Sequence, residues 1–162
     1  MGNMNGISSQ RCSISMRYRM IFPVMKRPKL WVNPTNVVAA LETAFAQAIN
    51  DERFIPYIQL HEFEALLFCG IEHLARRYPG CEGRCEQLRK DLEKAGNPEL
   101  INNSPKTAPS KRIIKAIEGD KKRHYNYNKP VTGKEVTKSV GIDGLRTQCK
   151  HFDEWIKKLI NC

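Results

Sequence analysis

The chain has 162 residues, of which 41% are hydrophobic, and a formal net charge of +10 at pH 7. This length suits one domain, and this hydrophobic fraction is too high for a disordered protein. The sequence contains no run of 18 apolar residues, so it predicts no membrane-spanning helix. The first residues also lack the apolar core of a secretory signal. We therefore expect a cytoplasmic protein whose cysteines are reduced.

The charge is unevenly distributed along the chain. Residues 1–33 carry +6, residues 34–100 carry −4 and residues 101–162 carry +8. A basic C-terminal part is typical of proteins that bind a polyanion such as nucleic acid. A solvated, lysine-rich surface would give the same balance, so the charge alone leaves both interpretations open.

The N-terminal segment differs from the rest of the chain. Residues 1–33 show no sustained hydrophobic period, which predicts an irregular basic segment before a domain at 34–162. Asn33 is a good N-cap and Pro34 suits the first helical position, so a helix is predicted to begin there. The segment FIPYIQL at 54–60 is aromatic and β-branched, which predicts a buried strand.

The remainder of the domain is predicted to be mainly helical. Loops rich in Asn, Pro, Lys and Gly are expected at 97–110 and 119–133. The expected fold is therefore α/β and helix-rich, with a short, mostly parallel sheet. The predicted helices lie at 71–78, 85–95, 111–118, 134–140, 143–148 and 152–160.

The first candidate site is His61-Glu62-Phe63-Glu64, directly after the predicted strand. In an extended segment, Glu62 and Glu64 point the same way, and a divalent cation relieves the repulsion between their carboxylates. Magnesium prefers such oxygen ligands. Glu62 and Glu64 are therefore a candidate Mg²⁺ site. Alternatively, the two acids cap the following helix and interact with its dipole.

The second candidate is the start of the predicted helix at Ser110, Lys111 and Arg112. Backbone amides and a hydroxyl at a helix N-terminus, followed by two cations, form an anion site for which phosphate is the natural ligand. An ordinary capped helix with a basic exposed face fits the same residues.

The third candidate is the loop that contains Lys121, Lys122 and Arg123. These cations are followed by Tyr125 and Tyr127, and cations interleaved with aromatic rings suit a nucleic-acid strand. A solvated loop is an equally good interpretation.

The cysteines offer one further possibility. Cys81 and Cys85 form a loose pair, and Cys149 with His151 could complete a zinc site. Reduced thiols that pack in the core are the more common outcome for such spacing.

Several segments resemble the domain of unknown function 4276 family, in the same order along the chain. The resemblance extends over about residues 35–160. It is carried by the region of Gly133 and by RFIPYIQLHEFEALLF at 53–68, NPELINNSPKTAPSKRI at 97–113 and GIDGLRTQCKHFDEWIKKL at 141–159. The family is similar to Toprim-type proteins, so the fold expected from the resemblance is the C-terminal part of a Toprim-like domain.

The resemblance implies magnesium-dependent phosphodiester chemistry on nucleic acid, as in a nuclease. It implies that Glu62 and Glu64 are catalytic and bind Mg²⁺, with His61 as a further ligand. Toprim-like proteins open with a strand and a glutamate-bearing motif, whereas residues 1–33 contain no Asp or Glu. We therefore expect an N-terminally truncated or frame-altered member in which Glu62 and Glu64 remain from a metal site. Family members often accompany an ATPase and are suspected in phage defence. The alternative function is thus a non-catalytic module that binds a partner ATPase or nucleic acid.

Overall fold

A computed structural model describes residues 34–101, 106–119 and 122–161, and the regular structure within these ranges is helical. Six α-helices and two 3₁₀-helices follow one another in this part of the chain. They are α1 (Pro34–Ile49), η1 (Phe63–Gly70), α2 (Ile71–Arg77), α3 (Glu82–Ala95), η2 (Pro98–Leu100), α4 (Pro109–Glu118), α5 (Lys129–Gln148) and α6 (Lys150–Ile160).

Local sequence signals account for several of the helix ends. The side chain of Asn128 accepts the Val131 N–H at 3.1 Å and so caps α5. Gly96 ends α3 with a φ of 70°, which glycine adopts without strain. Gly141 has a φ of 71° and kinks α5, because this conformation cannot continue a right-handed helix. The two helices predicted at 134–140 and 143–148 are thus the two arms of α5.

The 3₁₀-helix η1 lies at the centre of the fold. Its side chains Leu67 and Phe68 are 0% and 1% exposed, and they pack in one cluster with residues of α2, α3, α4 and α5. Close packing against α5 depends on Gly70, because a methyl group at this position would lie 2.5 Å from Val136 Cγ1. Residues 65–68 (ALLF) are therefore apolar on several sides of the helix, as expected for a helix that is surrounded by the core.

A second, smaller cluster forms where η1 meets the junction of α5 and α6. Its buried members are Leu66, Leu145 and Cys149, and the partly buried Phe152 packs against them. The same short helix therefore contacts the main core with one side and the C-terminal helices with another.

The predicted sheet is wrong for the described residues. Residues 54–60 form no strand, and the described ranges contain no strand with which they could pair. Side chains satisfy this backbone instead: Ile58 N–H donates to Glu42 Oε1 at 2.7 Å, and Trp155 Nε1 donates to the Ile55 carbonyl oxygen at 3.3 Å. Pro56 has no N–H to contribute to a ladder. The domain described here is helical, not α/β, and it does not show the sheet of a Toprim-like fold.

The helix predictions agree better with the structure. The helices expected at 71–78, 85–95, 111–118 and 152–160 correspond to α2, α3, α4 and α6. The loop expected at 119–133 ends earlier, because α5 already begins at Lys129. Residues 1–33, predicted to be irregular, lie outside the described residues. No helix in the described ranges is long and apolar enough to cross a membrane.

Candidate functional site

The first two candidate segments of the sequence meet in space. Ser110 N–H, in the first turn of α4, donates to Glu62 Oε2 at 2.9 Å. The acidic segment and the hydroxyl-bearing helix start are 48 residues apart in sequence. The anion at this helix N-terminus is therefore a carboxylate of the chain itself.

The pKa of Glu62 reflects this contact. Partial burial of the carboxyl is the largest single effect and raises its pKa. The hydrogen bonds from the hydroxyl and backbone of Ser110, together with the charges of Lys129 and Lys111, lower the pKa and outweigh burial. The net result is a pKa below the usual value. Glu62 is thus held as a carboxylate at the surface of the fold.

Glu64 is buried, with 1% of its surface exposed. Lys129 Nζ lies 2.6 Å from Glu64 Oε1. In this ion pair the lysine side chain is 57% exposed, whereas the carboxylate is buried. Glu64 Oε1 has no hydrogen bond of good geometry within the described part of the chain. Lys129 also acts on Glu62, so one ammonium serves both carboxylates.

Glu62 is extended, whereas η1 begins at Phe63. Phe63 is 48% exposed, and its ring lies over the backbone of Gly133. The segment is therefore extended only up to Glu62, and the alternation predicted for an extended segment does not hold for Glu64, which lies within η1. The two glutamates that we selected from the sequence thus have different contacts, Glu62 with Ser110 and Glu64 with Lys129, and they share the charge of Lys129.

His61 precedes the acidic pair with a φ of 60°. Burial lowers the pKa of its imidazole, and the charge of Glu62 opposes this shift only partly. A neutral imidazole is the form that binds metals. The described residues nevertheless contain no group of three His, Cys, Asp or Glu side chains that could hold a metal ion. A divalent cation at Glu62 and Glu64 would have to complete its coordination with water or with other parts of the chain.

A basic cleft lies between α3 and α4, next to the acidic pair. Its volume is about 570 Å³. Among the described residues of its lining, Asp91 carries the single carboxylate, and this group pairs with Arg112 Nη1 at 2.5 Å. The cationic side chains of the lining are Arg84, Lys106, Lys111, Arg112 and Lys115.

The arginines and lysines of this basic cleft differ in how they are held. Arg84 Nε donates to the Ala116 carbonyl oxygen at 2.7 Å, and Arg112 Nε donates to the Thr107 carbonyl oxygen at 2.7 Å, so both guanidinium groups are fixed to the protein. The lysines of the cleft are exposed. The cleft therefore combines guanidinium groups that the protein holds in place with exposed ammonium groups.

Two of the three residues of the second candidate site line this cleft. Lys111 and Arg112 are lining residues, whereas Ser110 is buried and donates to Glu62. The sequence analysis did not select Arg84, Lys106 or Lys115. The four-residue spacing of Lys111 and Lys115 in a predicted helix was a usable signal, because such residues lie on one helical face.

The third candidate, the basic and aromatic loop, folds back on the protein where it is described. Arg123 Nη1 donates to the Pro79 carbonyl oxygen, as does the Tyr125 hydroxyl at 3.2 Å. The Tyr125 ring packs edge-on against Tyr78, with 5.4 Å between ring centroids. Lys122 is exposed, and Lys121 lies outside the described residues. Tyr125 thus already has an aromatic partner within the protein.

Tyr127 is also engaged within the protein. Its backbone N–H donates to Glu118 Oε1 at 2.8 Å. Burial raises the pKa of its hydroxyl to about 12, with smaller contributions from Tyr78 and Glu62. The half-buried ring is therefore a structural part of the region around Glu62.

A buried polar cluster that we did not predict joins α1, η2 and α6. His151 Nε2 lies 3.0 Å from Glu42 Oε1, and both side chains are at most 10% exposed. The two carboxylate oxygens of Glu99 accept the backbone N–H groups of His151 and Phe152 at 2.8 and 3.0 Å. The ring of Tyr57 stacks on His151, with 5.0 Å between centroids. The local sequence around Glu42 and Glu99 gave no signal that either residue contacts the start of α6.

The residues considered for zinc do not converge. Cys81 and Cys85 belong to the main core cluster, whereas Cys149 belongs to the cluster at the α5–α6 junction. His151 instead faces Glu42. In the described residues, the two cysteine groups therefore have separate surroundings.

A family model described as "Domain of unknown function (DUF4276)" matches residues 17–160. This match begins earlier than the segments that carry the resemblance in the sequence, and it includes the acidic pair, α4 and the basic cleft. No curated protein and no solved structure matches the chain. Because the family model covers most of the chain, the protein belongs to the family of domains of unknown function DUF4276.

Proposed function

We propose that this domain binds the phosphate backbone of nucleic acid in the basic cleft between α3 and α4. The observation that carries the proposal is the lining of the cleft. In the part of the chain that the structure describes, this lining has five cationic side chains and a single carboxylate, which is already paired. A net charge of +10 adds a long-range attraction for a polyanion.

The arrangement of charges in the cleft fits phosphate better than a small neutral ligand. Arg84 and Arg112 are fixed by backbone carbonyl oxygens, so their positions are set before a ligand arrives. Such preorganised guanidinium groups suit phosphate oxygens. The exposed lysines can follow a backbone of variable sequence, because phosphate contacts carry no base information.

The proposal is tested by fluorescence anisotropy with labelled single-stranded DNA, duplex DNA and RNA over a range of salt concentrations. The variant replaces the three cleft lysines by alanine: Lys106→Ala, Lys111→Ala and Lys115→Ala. Each phosphate contact contributes about 0.7 to 0.9 to the slope of log affinity against log salt. We therefore expect weaker binding and a slope that is smaller by about 2 to 3.

The matched control removes three exposed lysines outside the cleft, at Lys138, Lys150 and Lys158. It lowers the net charge by the same amount, so long-range attraction falls equally in both variants. Circular dichroism establishes that both variants are folded. Equal affinities in the two variants would rule out the cleft as the binding surface.

Divalent-metal-dependent cleavage of nucleic acid at Glu62 and Glu64 is a second candidate function. The observation in its favour is that a buried carboxylate, Glu64, is held against an exposed ammonium that a cation could replace. Lys111 connects this pair to the cleft, since it lines the cleft and also lowers the pKa of Glu62. A phosphate held in the cleft would thus lie near the carboxylates.

The second candidate is tested by Mn²⁺ binding and by cleavage of plasmid and single-stranded DNA. The protein is compared with the Glu62→Gln/Glu64→Gln variant. Mn²⁺ binding and cleavage that are both lost in the variant would support a metal site. Unchanged Mn²⁺ binding in the variant would exclude this pair as ligands. A partner ATPase and a role in phage defence remain predictions that rest on the family resemblance.

A further inference from the structure

Two thiols from distant parts of the chain meet next to the core. Cys69, near the end of η1, and Cys149, at the junction of α5 and α6, have their Sγ atoms 3.4 Å apart. They are 80 residues apart in sequence. Leu66 and Leu145 belong to the same cluster and surround the pair with apolar side chains.

We propose that Cys69 and Cys149 are a redox modification site and form a reversible disulfide in the presence of a small-molecule disulfide such as oxidised glutathione. This bond would join η1 covalently to the α5–α6 junction. The inference does not depend on the proposed function of the cleft.

The geometry favours this pairing. A disulfide has a sulfur–sulfur distance of about 2.05 Å, so the two atoms must approach by little more than 1 Å. Neither residue lies in the middle of a regular α-helix, since Cys69 belongs to a 3₁₀-helix and Cys149 separates two helices. The remaining approach requires rotation of the two side chains or a small shift of the backbone.

The two thiols differ in access, which sets the order of the chemical steps. Cys69 is partly exposed, whereas Cys149 is 0% exposed. The hydrogen bond with Cys69 and, next, burial raise the pKa of Cys149. Cys69 is thus the thiol that a dissolved oxidant reaches, and Cys149 is the thiol that acts second.

The reaction proceeds by thiol–disulfide exchange. The Cys69 thiolate attacks one sulfur of oxidised glutathione, forms a mixed disulfide and releases one glutathione thiolate. Cys149 then loses its proton and attacks the sulfur of Cys69, which releases the second glutathione thiolate. In total, two protein thiols lose two electrons, oxidised glutathione gains them, and the two protons end on two molecules of reduced glutathione.

The chain contains an internal comparison for this pair. Cys81 and Cys85 are also buried, and burial, together with Cys81, raises the pKa of Cys85 to about 11. Cys81 precedes α3 directly and Cys85 lies one turn into it. Residues spaced four apart on a helix have Cβ atoms about 5–6 Å apart, whereas a disulfide requires roughly 3.5–4.5 Å. This second pair should therefore stay reduced.

The test uses the full chain with Cys12→Ser and Cys162→Ser, which leaves the four thiols of the two pairs. The folded protein is incubated in glutathione redox buffers, the exchange is quenched with acid, and the remaining thiols are alkylated after denaturation, so that buried thiols also react. The intact mass and the linked peptides are then determined. We expect two of the four thiols to be protected, a link between Cys69 and Cys149, and complete reversal by dithiothreitol. Both cysteines of the proposed bond keep their native side chains in this protein, and circular dichroism establishes that it is folded.

Two variants check the order of the steps. Cys149→Ser should stop at one glutathione bound to Cys69, and Cys69→Ser should leave the remaining thiols free. The proposal is overturned if all four thiols stay alkylatable in oxidising buffer. It is also overturned if Cys69 of the four-thiol protein retains glutathione, or if the link found includes Cys81 or Cys85.

Discussion

Replacement of Glu99 by alanine should cause a large loss of stability. The carboxylate is 1% exposed and accepts two backbone N–H groups in the first turn of α6, from His151 and Phe152. The variant would leave both donors without this acceptor in a region from which water is excluded. Glu99 also lies in η2, so the same contact fixes a connecting segment to the C-terminal helix.

The magnitude follows from these two contacts. A hydrogen bond to a charged group contributes about 1.5–3 kcal/mol, and an unsatisfied buried donor costs about 1–3 kcal/mol. Because the two bonds share one carboxylate and are not additive, we expect Glu99→Ala to lower the free energy of unfolding by about 3–5 kcal/mol. Glu99→Gln keeps one acceptor oxygen and should cost about half as much.

Urea unfolding followed by circular dichroism measures both variants. The matched control is Glu93→Ala, which removes an exposed acid from α3 and should change the free energy by less than about 0.5 kcal/mol. The reasoning is refuted if Glu99→Ala destabilises the protein by less than about 1 kcal/mol, or no more than Glu93→Ala.

Three further predictions concern the core and the acidic pair. Gly70→Ala should lower the free energy of unfolding by about 1–3 kcal/mol, because the new methyl group would lie 2.5 Å from Val136 Cγ1. Thermal unfolding measures this loss, and an unchanged melting temperature would contradict the prediction. Leu74→Ala should lower the free energy of unfolding by about 2–5 kcal/mol, because Leu74 is 1% exposed. Leu159→Ala, at a position that is 44% exposed, should lower it clearly less, and urea unfolding compares the two variants. The pKa of Glu62 is lowered in the folded state, so its contribution to stability is present above its usual value of 4.5 and is lost as the pH falls through the lowered pKa. Glu62→Gln should therefore remove part of the pH dependence of stability in this acidic range, and parallel stability–pH curves for the two proteins would contradict the assignment.

Local signals in the sequence predicted much of the helical structure. Pro34 marks the start of α1, and the apolar spacing in 111–118 identifies the buried face of α4, where Ile113 and Ile117 are 0% and 1% exposed. The strand predicted at 54–60 is wrong because that prediction also rested on local composition alone. Composition reports whether a segment is extended and partly buried, but a strand exists only if another segment pairs with it.

The candidate site was predictable only in part. Glu62 and Glu64 could be selected because two acids follow an apolar segment, and the structure places both near Lys129. Arg84 could not be selected, because its place in the cleft depends on how α3 packs against α4.

The sequence by itself determined the basic character of the chain, most of its helices and the residues that could carry chemistry. Only the tertiary structure decided the pairings: Glu62 with Ser110, Glu99 with the start of α6, and Cys69 with Cys149. These partners are 48 to 80 residues apart. Hydrophobic periodicity and capping residues report on neighbours within a few positions, whereas such contacts arise from the packing of whole helices.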